Sequence, residues 1–261
     1  MTRILAVTNQ KGGVGKTTTA VNLAASLAKT RRTVLLIDLD PQGNATVGVG
    51  IDKRHVANSA YDILLSGLSA ERAEVCLNAH FAIIPSSPDL AGASVELAGE
   101  LARELRLKRA LQPLAGRFDY VFIDCPPALD LLTVNALVAA SGVLIPLQCE
   151  YYALEGLTAL LDTVHRIRDV LNPELQIEGL LRTMFDGRVG LANEVSGQLL
   201  EHFGAKVYRT IVPRNVRLAE APSHGLPVVE YDRHCTGAQA YLALAGEILR
   251  RHEMTKHTDA T

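Results

Sequence analysis

Apolar residues fall into seven short runs rich in β-branched residues, and helix-like segments separate most of these runs. The runs are residues 4–8, 33–38, 81–85, 120–124, 143–148, 177–184 and 207–212. Continuous apolar strands that alternate with helices are typical of parallel sheets covered on both faces. The pattern therefore predicts an α/β fold: a mostly parallel, twisted sheet with helices on both faces and right-handed crossovers.

Apolar positions at three- and four-residue spacings predict long helices at residues 90–114, 155–171 and 236–251, and a further helix-like stretch covers residues 19–29. The chain has 261 residues, of which 48% are hydrophobic and 21% charged, so it can bury one large core. It contains no internal repeat and no low-complexity linker. We therefore expect a single domain over residues 1–251 and a polar, disordered tail over residues 252–261.

A glycine-rich run joins the first predicted strand to the helix after it. Its sequence is Lys11-Gly12-Gly13-Val14-Gly15-Lys16-Thr17-Thr18. The glycines let backbone N–H groups turn toward one anion, Lys16 adds a positive charge, and Thr17 offers its hydroxyl directly to Mg²⁺ at the helix N-terminus. The run predicts a Walker-type phosphate site. It departs from the usual pattern because Gln10 stands where a glycine is expected and Lys11 is a second lysine.

Carboxylates end two of the predicted strands. Asp38 and Asp40 are two residues apart and so lie on one side of an extended segment, and Asp124 ends another strand. Acids at the carboxyl ends of neighbouring strands can reach the metal and the attacking water of a nucleotide-hydrolysing site. We expect Asp40 to orient water, and Asp38 and Asp124 to hold Mg²⁺ through water. Either strand alone could instead end in an Asp that only caps the next helix.

Five stretches together resemble the ParA/Soj branch of the deviant Walker A ATPases, a family that also includes MinD and the nitrogenase iron protein. They are residues 8–19, 34–46, 123–127, 148–156 and 211–227. Gln10, the DPQGNAT run and the QCEYYALEG run are similar to ParA/Soj rather than to MinD. The resemblance implies a P-loop NTPase fold, ATP and Mg²⁺ as ligands, and an ATP-dependent homodimer in which Lys11 reaches the partner's nucleotide.

The resemblance also implies how such a protein works. ATP hydrolysis is slow until a ParB-type centromere-binding partner stimulates it, and the ATP-bound dimer binds double-stranded DNA without sequence preference until hydrolysis releases it. A loop of Pro213, Arg214 and Asn215 closes over adenine, with Pro213 on the base and Asn215 hydrogen-bonded to its edge. Without the resemblance, these three residues indicate only a turn after the preceding strand.

The formal net charge of −2 gives the whole molecule no positive surface for nucleic acid, so any DNA contact must be local. Residues 182–217 form a basic window, with six Arg or Lys against three Asp or Glu. Arginine suits phosphate contacts because its planar fork grips two oxygens. The resemblance implies Arg188 and Arg217 as DNA contacts, with Arg214 as a further candidate. The alternative is a solvated surface with ordinary ion pairs.

Several alternatives share parts of this pattern. No apolar run is long enough for a signal peptide or a spanning helix, which predicts a cytoplasmic protein without stable membrane association. The resemblance implies that this protein is also nucleoid-associated. A MinD-like membrane-surface ATPase needs a basic amphipathic C-terminal helix, whereas the apolar face of 236–251 is expected to pack on the sheet.

An iron–sulfur ATPase could use only Cys125 and Cys149, which we interpret as reduced core thiols. An ATPase that positions another cellular cargo would share every motif.

Overall fold

The computed structural model describes residues 2–258, and one eight-stranded sheet runs through them. Its strands are β1 (Arg3–Val7), β2 (Val34–Asp38), β3 (Val75–Asn78), β4 (Phe81–Ile84), β5 (Tyr120–Asp124), β6 (Gly142–Gln148), β7 (Gln176–Phe185) and β8 (Val207–Pro213). Their order across the sheet is β3-β4-β2-β5-β1-β6-β7-β8. Only β3 runs antiparallel to its neighbour; every other pairing is parallel.

Helices cover both faces of the sheet. They are α1 (Lys16–Lys29), α2 (Asn44–Gly48), α3 (Ala60–Leu65), α4 (Ala70–Ala73), α5 (Ala93–Ala98), α6 (Arg106–Leu111), α7 (Leu131–Ala139), α8 (Ala153–Val170), α9 (Gly190–Phe203), α10 (Val216–Glu220), α11 (Val228–Tyr231) and α12 (Thr236–Thr258). Two apolar clusters fill the space between helices and sheet. One packs α3 to α9 on one face, and the other packs α1, α2 and α10 to α12 on the opposite face. The α/β prediction is confirmed.

All seven predicted strands are present, and β3 is an addition. This strand lies at the sheet edge, where three of its four residues are exposed. Its apolar run, Val75 to Leu77, is only three residues long, too short to predict a strand from the sequence. The parallel strands, by contrast, are buried on both faces and appear in the sequence as uninterrupted apolar segments.

The predicted helix over 90–114 is wrong, because that segment contains only the short helices α5 and α6 together with 3₁₀ turns. Gly92 and Gly99 flank α5, and Ala102 has a positive φ of 50°. Pro113 then lies in a 3₁₀ turn after α6. Glycine and proline both weaken helix propagation, so an amphipathic spacing across them does not give one helix.

The last helix extends beyond its predicted end at Arg251, since α12 continues to Thr258. His252, the first residue of the predicted tail, is buried. Its Nδ1 lies 2.9 Å from the Tyr120 hydroxyl and its Nε2 lies 2.8 Å from a Glu178 carboxylate oxygen. The packed His252 and the continuation of α12 to Thr258 differ from the predicted disordered tail; residues 259–261 lie outside the described residues.

Candidate nucleotide site

The glycine-rich loop connects β1 to α1 at the carboxyl edge of the sheet. Gly13 and Gly15 have positive φ angles of 75° and 85°, a conformation that residues with a side chain rarely adopt. Gly15 occupies the N-cap position of α1, and no side chain accepts a hydrogen bond from the first turn. The N–H groups at this helix end are therefore available to an anion, which the helix dipole also favours.

Two residues that the sequence did not single out fix the backbone of this loop. The Thr183 hydroxyl on β7 lies 2.8 Å from the Val14 carbonyl. The Asn9 amide donates to the Pro146 carbonyl at 2.8 Å, while its oxygen accepts from the Lys11 N–H at 3.0 Å. Both side chains are buried. In the sequence, Thr183 and Asn9 differ from other residues only as polar residues near the ends of buried strands. That pattern is common and does not indicate a contact with the loop.

The two lysines of the loop have different surroundings. Lys16 is buried, and its Nζ donates to the Lys11 carbonyl at 3.2 Å. Burial lowers the pKa of Lys16, although the carboxylates of Asp124 and Asp40 oppose this effect. Lys11 is partly exposed and forms an ion pair with Glu150 of the same chain. Lys16 therefore faces the acids of the site, while Lys11 is held at its rim.

Asp124 is fully buried, and neither of its carboxylate oxygens has a hydrogen-bond partner among the described residues. Burial and then the charge of Asp38 hold the pKa of Asp124 well above its usual range, whereas the nearby Thr17 hydroxyl acts in the opposite direction. A buried carboxyl group without partners is costly unless a ligand compensates it. The unsatisfied oxygens beside a threonine hydroxyl fit a magnesium ion, which prefers oxygen ligands.

Within the described residues, no group of three or more His, Cys, Asp or Glu side chains is placed to hold a metal ion by itself. At nucleotide sites Mg²⁺ uses one or two protein ligands and completes its octahedron with water and phosphate oxygens. Thr17 and Asp124 supply a donor set of that size.

Asp38 and Asp124 are register partners on adjacent strands β2 and β5. Asp38 accepts hydrogen bonds from the Thr46 N–H at 2.8 Å, the Thr46 hydroxyl at 2.7 Å and the Asp40 N–H at 3.2 Å. Complete burial nevertheless raises the pKa of Asp38 to about 6. Asp38 therefore organises the segment that carries Asp40, and its predicted contact with metal-bound water stays a prediction.

Asp40 lies two residues after the end of β2, and it is almost completely buried. Its Oδ1 accepts from the Gln42 N–H at 2.9 Å, and its backbone carbonyl accepts from the Ser86 hydroxyl at 2.9 Å. Its charge acts on both Lys16 and Asp124. The structure thus brings Asp38, Asp40, Asp124 and Lys16 together, as the sequence predicts.

A cavity of about 200 Å³ opens beside the glycine loop. Gly15, Met184, Pro213 and Asn215 contribute to its lining. The Asn215 amide oxygen caps α10 by accepting from two backbone N–H groups, and its nitrogen donates to the Thr236 hydroxyl at 2.8 Å. One amide hydrogen of Asn215 thus has no partner among the described residues, and the predicted contact with adenine stays a prediction.

The predicted DNA contacts are exposed but not all equally available. Arg188 binds Asp186 through two hydrogen bonds of 2.9 and 2.7 Å. Arg217 pairs with Glu220 at 2.7 Å and with Asp232 at 3.5 Å. Arg214 is exposed and lies near Asp186, with no ion pair among the described residues. Arg188 and Arg217 therefore fit the alternative of a solvated surface with ordinary ion pairs, and their role in DNA binding stays a prediction.

Comparison with known proteins decides the family. Residues 2–177 match the family described as AAA domain. Over 95% of its length the chain is 52% identical to the sporulation initiation inhibitor protein Soj of Bacillus subtilis, covering 98% of that protein. It is 51% identical to the chromosome partitioning protein ParA of Myxococcus xanthus, over 95% of this chain and 88% of the relative. The chain belongs to the ParA/Soj family of chromosome-partitioning ATPases.

Solved structures agree with this assignment at the level of the fold. The cobyrinic acid a,c-diamide synthase of Mycobacterium smegmatis with bound ADP and magnesium superimposes with a TM-score of 0.84 and 38% identity. The match covers 97% of this chain and 96% of that one. The ParA/Soj chain therefore shares its architecture with a nucleotide-binding protein, as its loop geometry indicates.

The alternatives left by the sequence find little support in this ParA/Soj chain. Cys125 and Cys149 are buried, and burial raises the pKa of the Cys149 thiol to about 11. Such thiols are poor ligands for a cluster. Tyr241, Leu244 and Ile248 of α12 are buried in the core, as predicted. No helix in the described part of the chain is long and apolar enough to cross a membrane.

Proposed function

We propose that this chain is a DNA-partitioning ATPase whose ATP-bound homodimer binds double-stranded DNA without sequence preference. Hydrolysis, slow alone and stimulated by a ParB-type partner, releases the DNA. The observation that carries the proposal is the buried, unpartnered carboxylate of Asp124 beside Lys16 and the open N-terminus of α1. The names of the Soj and ParA relatives support the partitioning role.

The nucleotide site uses the loop residues in separate roles. Backbone N–H groups of 12–18 bind the phosphates, and Lys16 neutralises their charge. Thr17 binds Mg²⁺ directly, while Asp124 and Asp38 hold it through water. Mg²⁺, when bound, neutralises negative charge on the phosphate oxygens. The ADP and magnesium in the mycobacterial structure support this choice of ligands.

Asp40 orients the attacking water. Burial and the hydrogen bond from the Gln42 N–H limit the positions that its carboxylate can adopt, and the bond from the Ser86 hydroxyl holds its backbone carbonyl. A positioned carboxylate lowers the barrier by holding the nucleophile in line with the phosphorus. Lys16 stabilises the charge that develops on the phosphate.

Dimerisation requires Lys11 to leave Glu150 and bind the phosphates of the partner's nucleotide. Two nucleotides that face each other across an interface repel, and a lysine from each subunit offsets that repulsion. The pair with Glu150 is partly exposed, so its loss costs about 1 kcal/mol or less. ATP supplies the γ-phosphate charge that makes the exchange favourable.

DNA binding uses phosphate contacts by Arg188, Arg214 and Arg217. The carboxylates that pair with Arg188 and Arg217 are solvent-accessible, and exposed ion pairs are weak enough for DNA phosphates to replace them. A dimer doubles the number of contacts. Because these contacts involve only the backbone of DNA, binding is independent of sequence and places the protein on the nucleoid.

The test is DNA binding by the purified protein with ATP, ADP or no nucleotide, on two duplexes of unrelated sequence. We expect binding only with ATP and equal affinity for both duplexes. Binding that does not depend on nucleotide, or that favours one duplex strongly, contradicts the proposal. Adding a ParB-type protein should accelerate ATP hydrolysis; an unchanged rate removes that partner from the proposal.

A further inference from the structure

Strand β8 departs from regular pairing with β7 just before the loop formed by Pro213, Arg214 and Asn215, which we call the base loop. Leu180 pairs with Val207, and Arg182, two residues later, pairs with Ile211, four residues later. The extra length on β8 lies at residues 208–210, and the register shifts again before Phe185 meets Pro213. Such a bulge leaves backbone groups without partners in the ladder.

Charged side chains satisfy the backbone of this bulge. The Arg182 guanidinium on β7 donates to the Tyr208 carbonyl at 2.8 Å and, more weakly, to the Arg209 carbonyl at 3.4 Å. From the other side, the Glu247 carboxylate on α12 accepts from the N–H groups of Arg209 and Thr210, both at 2.9 Å. The Thr210 hydroxyl also donates to Glu247 at 2.8 Å.

Both charges are almost completely buried, with exposed fractions of 5% for Arg182 and 7% for Glu247. Burial of Glu247 acts to raise its pKa, but the hydrogen bonds from Arg209 and Thr210 outweigh that effect and the pKa is lowered. Burying a charge is unfavourable unless its hydrogen bonds are well formed. The arrangement therefore fixes residues 208–210 more strictly than an ordinary edge strand.

The fixed segment leads directly into the base loop, because β8 ends at Pro213. Helix α12 contacts the other end of that loop through the bond between Thr236 and Asn215, at 2.8 Å. It also meets α1 through Tyr241, whose hydroxyl lies 3.1 Å from that of Thr19. One helix thus sets the base loop relative to the helix that carries the phosphate site.

We propose that Glu247 is a positioning residue for recognition of the nucleobase: through the backbone of Arg209 and Thr210 it holds Pro213 and Asn215 over the cavity beside Gly15. The inference rests on the proposed function, since it takes the base of bound ATP to occupy that cavity. Glu247 acts on the base alone, because the phosphate loop is held by other residues, among them Thr183 and Asn9.

The test compares a ligand that has a base with one that has none. Dissociation constants for Mg²⁺–ATP and Mg²⁺–inorganic triphosphate are measured for wild type, Glu247→Ala and Glu247→Gln. Losing hydrogen bonds to a charged group is worth about tenfold in affinity. We expect Glu247→Ala to weaken ATP at least about tenfold and Glu247→Gln by a smaller factor, because its amide keeps one acceptor. Triphosphate affinity should stay unchanged.

The matched control is Glu253→Gln, which changes an exposed glutamate on the same helix and should leave both ligands unaffected. In steady-state hydrolysis, KM for ATP should rise in Glu247→Gln while kcat is retained, a split that general destabilisation does not produce. If thermal unfolding shows that Glu247→Ala does not fold, the comparison of ATP with triphosphate is made with Glu247→Gln alone.

Unchanged ATP affinity in a folded Glu247 variant overturns the inference and leaves the proposed function intact. An equal loss for ATP and triphosphate overturns it as well, because Glu247 then supports the whole site. Wild-type protein that binds triphosphate as tightly as ATP shows that no base is recognised. Wild-type protein that binds neither ligand contradicts the proposed function itself.

Discussion

Lys11 forms an ion pair with Glu150 of its own chain, and its backbone carbonyl accepts a hydrogen bond from Lys16. The residue therefore has two separable parts. Its backbone belongs to the phosphate loop, whereas its side chain points to the rim, toward the segment that precedes α8. Substitution to alanine removes only the second part.

Lys11→Ala should bind ATP as a monomer within about twofold of wild type, because the bond from Lys16 to the carbonyl of residue 11 remains. ATP-dependent dimerisation should be lost, since the charge proposed to reach the partner's phosphates is absent. Nucleotide titration and size-exclusion chromatography with ATP measure the two properties. Lys108→Ala, an exposed lysine on α6, is the control. Equal loss of both properties would make Lys11 a contact within its own subunit.

Asp40→Ala should bind ATP and dimerise but hydrolyse at least about 100-fold more slowly, because the water loses the carboxylate that orients it. Lys16, Thr17 and Asp124 still hold the nucleotide and metal, so ATP traps the dimer. Phosphate release and size-exclusion chromatography test both statements, with Asp162→Ala on α8 as the exposed control. A mutant that turns over ATP normally, or stays monomeric with ATP, refutes the role of Asp40.

Asp124→Asn should stabilise the nucleotide-free protein at pH 7.5 while weakening its response to Mg²⁺–ATP. Burial raises the pKa of Asp124 and of Asp38, the latter to about 6. An acid whose pKa is higher in the folded state makes folding less favourable as pH rises from the unfolded value through the folded one. The contribution of Asp38 to wild-type stability should therefore fall between about pH 4 and 6, and that of Asp124 should also fall as pH rises above its unfolded pKa.

Replacement of the buried ionisable carboxyl group of Asp124 by an amide should raise Tm by about 2 °C or more, the effect of about 1 kcal/mol in a chain of this size. The increase of Tm that Mg²⁺–ATP gives should become smaller than in wild type, because a magnesium-holding group is removed. Thermal unfolding with and without Mg²⁺–ATP measures both, and Asp162→Asn is the control. A lower Tm without nucleotide would show that the unpartnered carboxylate stabilises the fold.

The double variant Arg188→Glu/Arg217→Glu should bind every DNA sequence more weakly while it dimerises normally with ATP. The dependence of log K on log salt should become shallower by about 1 for each DNA phosphate that the variant no longer neutralises. The double variant Arg166→Glu/Arg168→Glu, which changes two exposed arginines on α8, controls for the change of net charge. Asp186→Asn should bind DNA at least as tightly as wild type, since it frees Arg188. Unchanged affinity in the double variant would locate the DNA surface elsewhere.

Much of this site could be predicted from the sequence because it depends on local patterns. Buried parallel strands appear as apolar runs, and the acids Asp38 and Asp124 follow directly from where two of those runs end. Parallel alignment then brings these ends to one edge of the sheet. Gly13 and Gly15 could be placed for a related reason, since a tight loop with positive φ leaves few other residues possible.

The remaining features depend on contacts between distant parts of the chain. Glu247 lies 38 residues from Arg209, and Thr183 lies 169 residues from Val14. Neither residue differs in the sequence from a surface glutamate or a strand threonine. For Asn215 the sequence predicts a contact that the structure does not display. The family motif implies a hydrogen bond to a base, whereas in the structure the same amide caps α10 and donates to Thr236.

The anchoring of His252 against Tyr120 and Glu178 has a practical consequence for imaging. These two residues lie near the amino ends of β5 and β7, so α12 carries its later turns to the amino edge of the sheet, opposite the edge that holds the nucleotide loop. Glu253 is exposed there. A fluorophore on Glu253→Cys, in a background in which the accessible Cys76 and Cys235 are changed to Ser, would test the proposed association with DNA in single molecules from a position remote from the nucleotide.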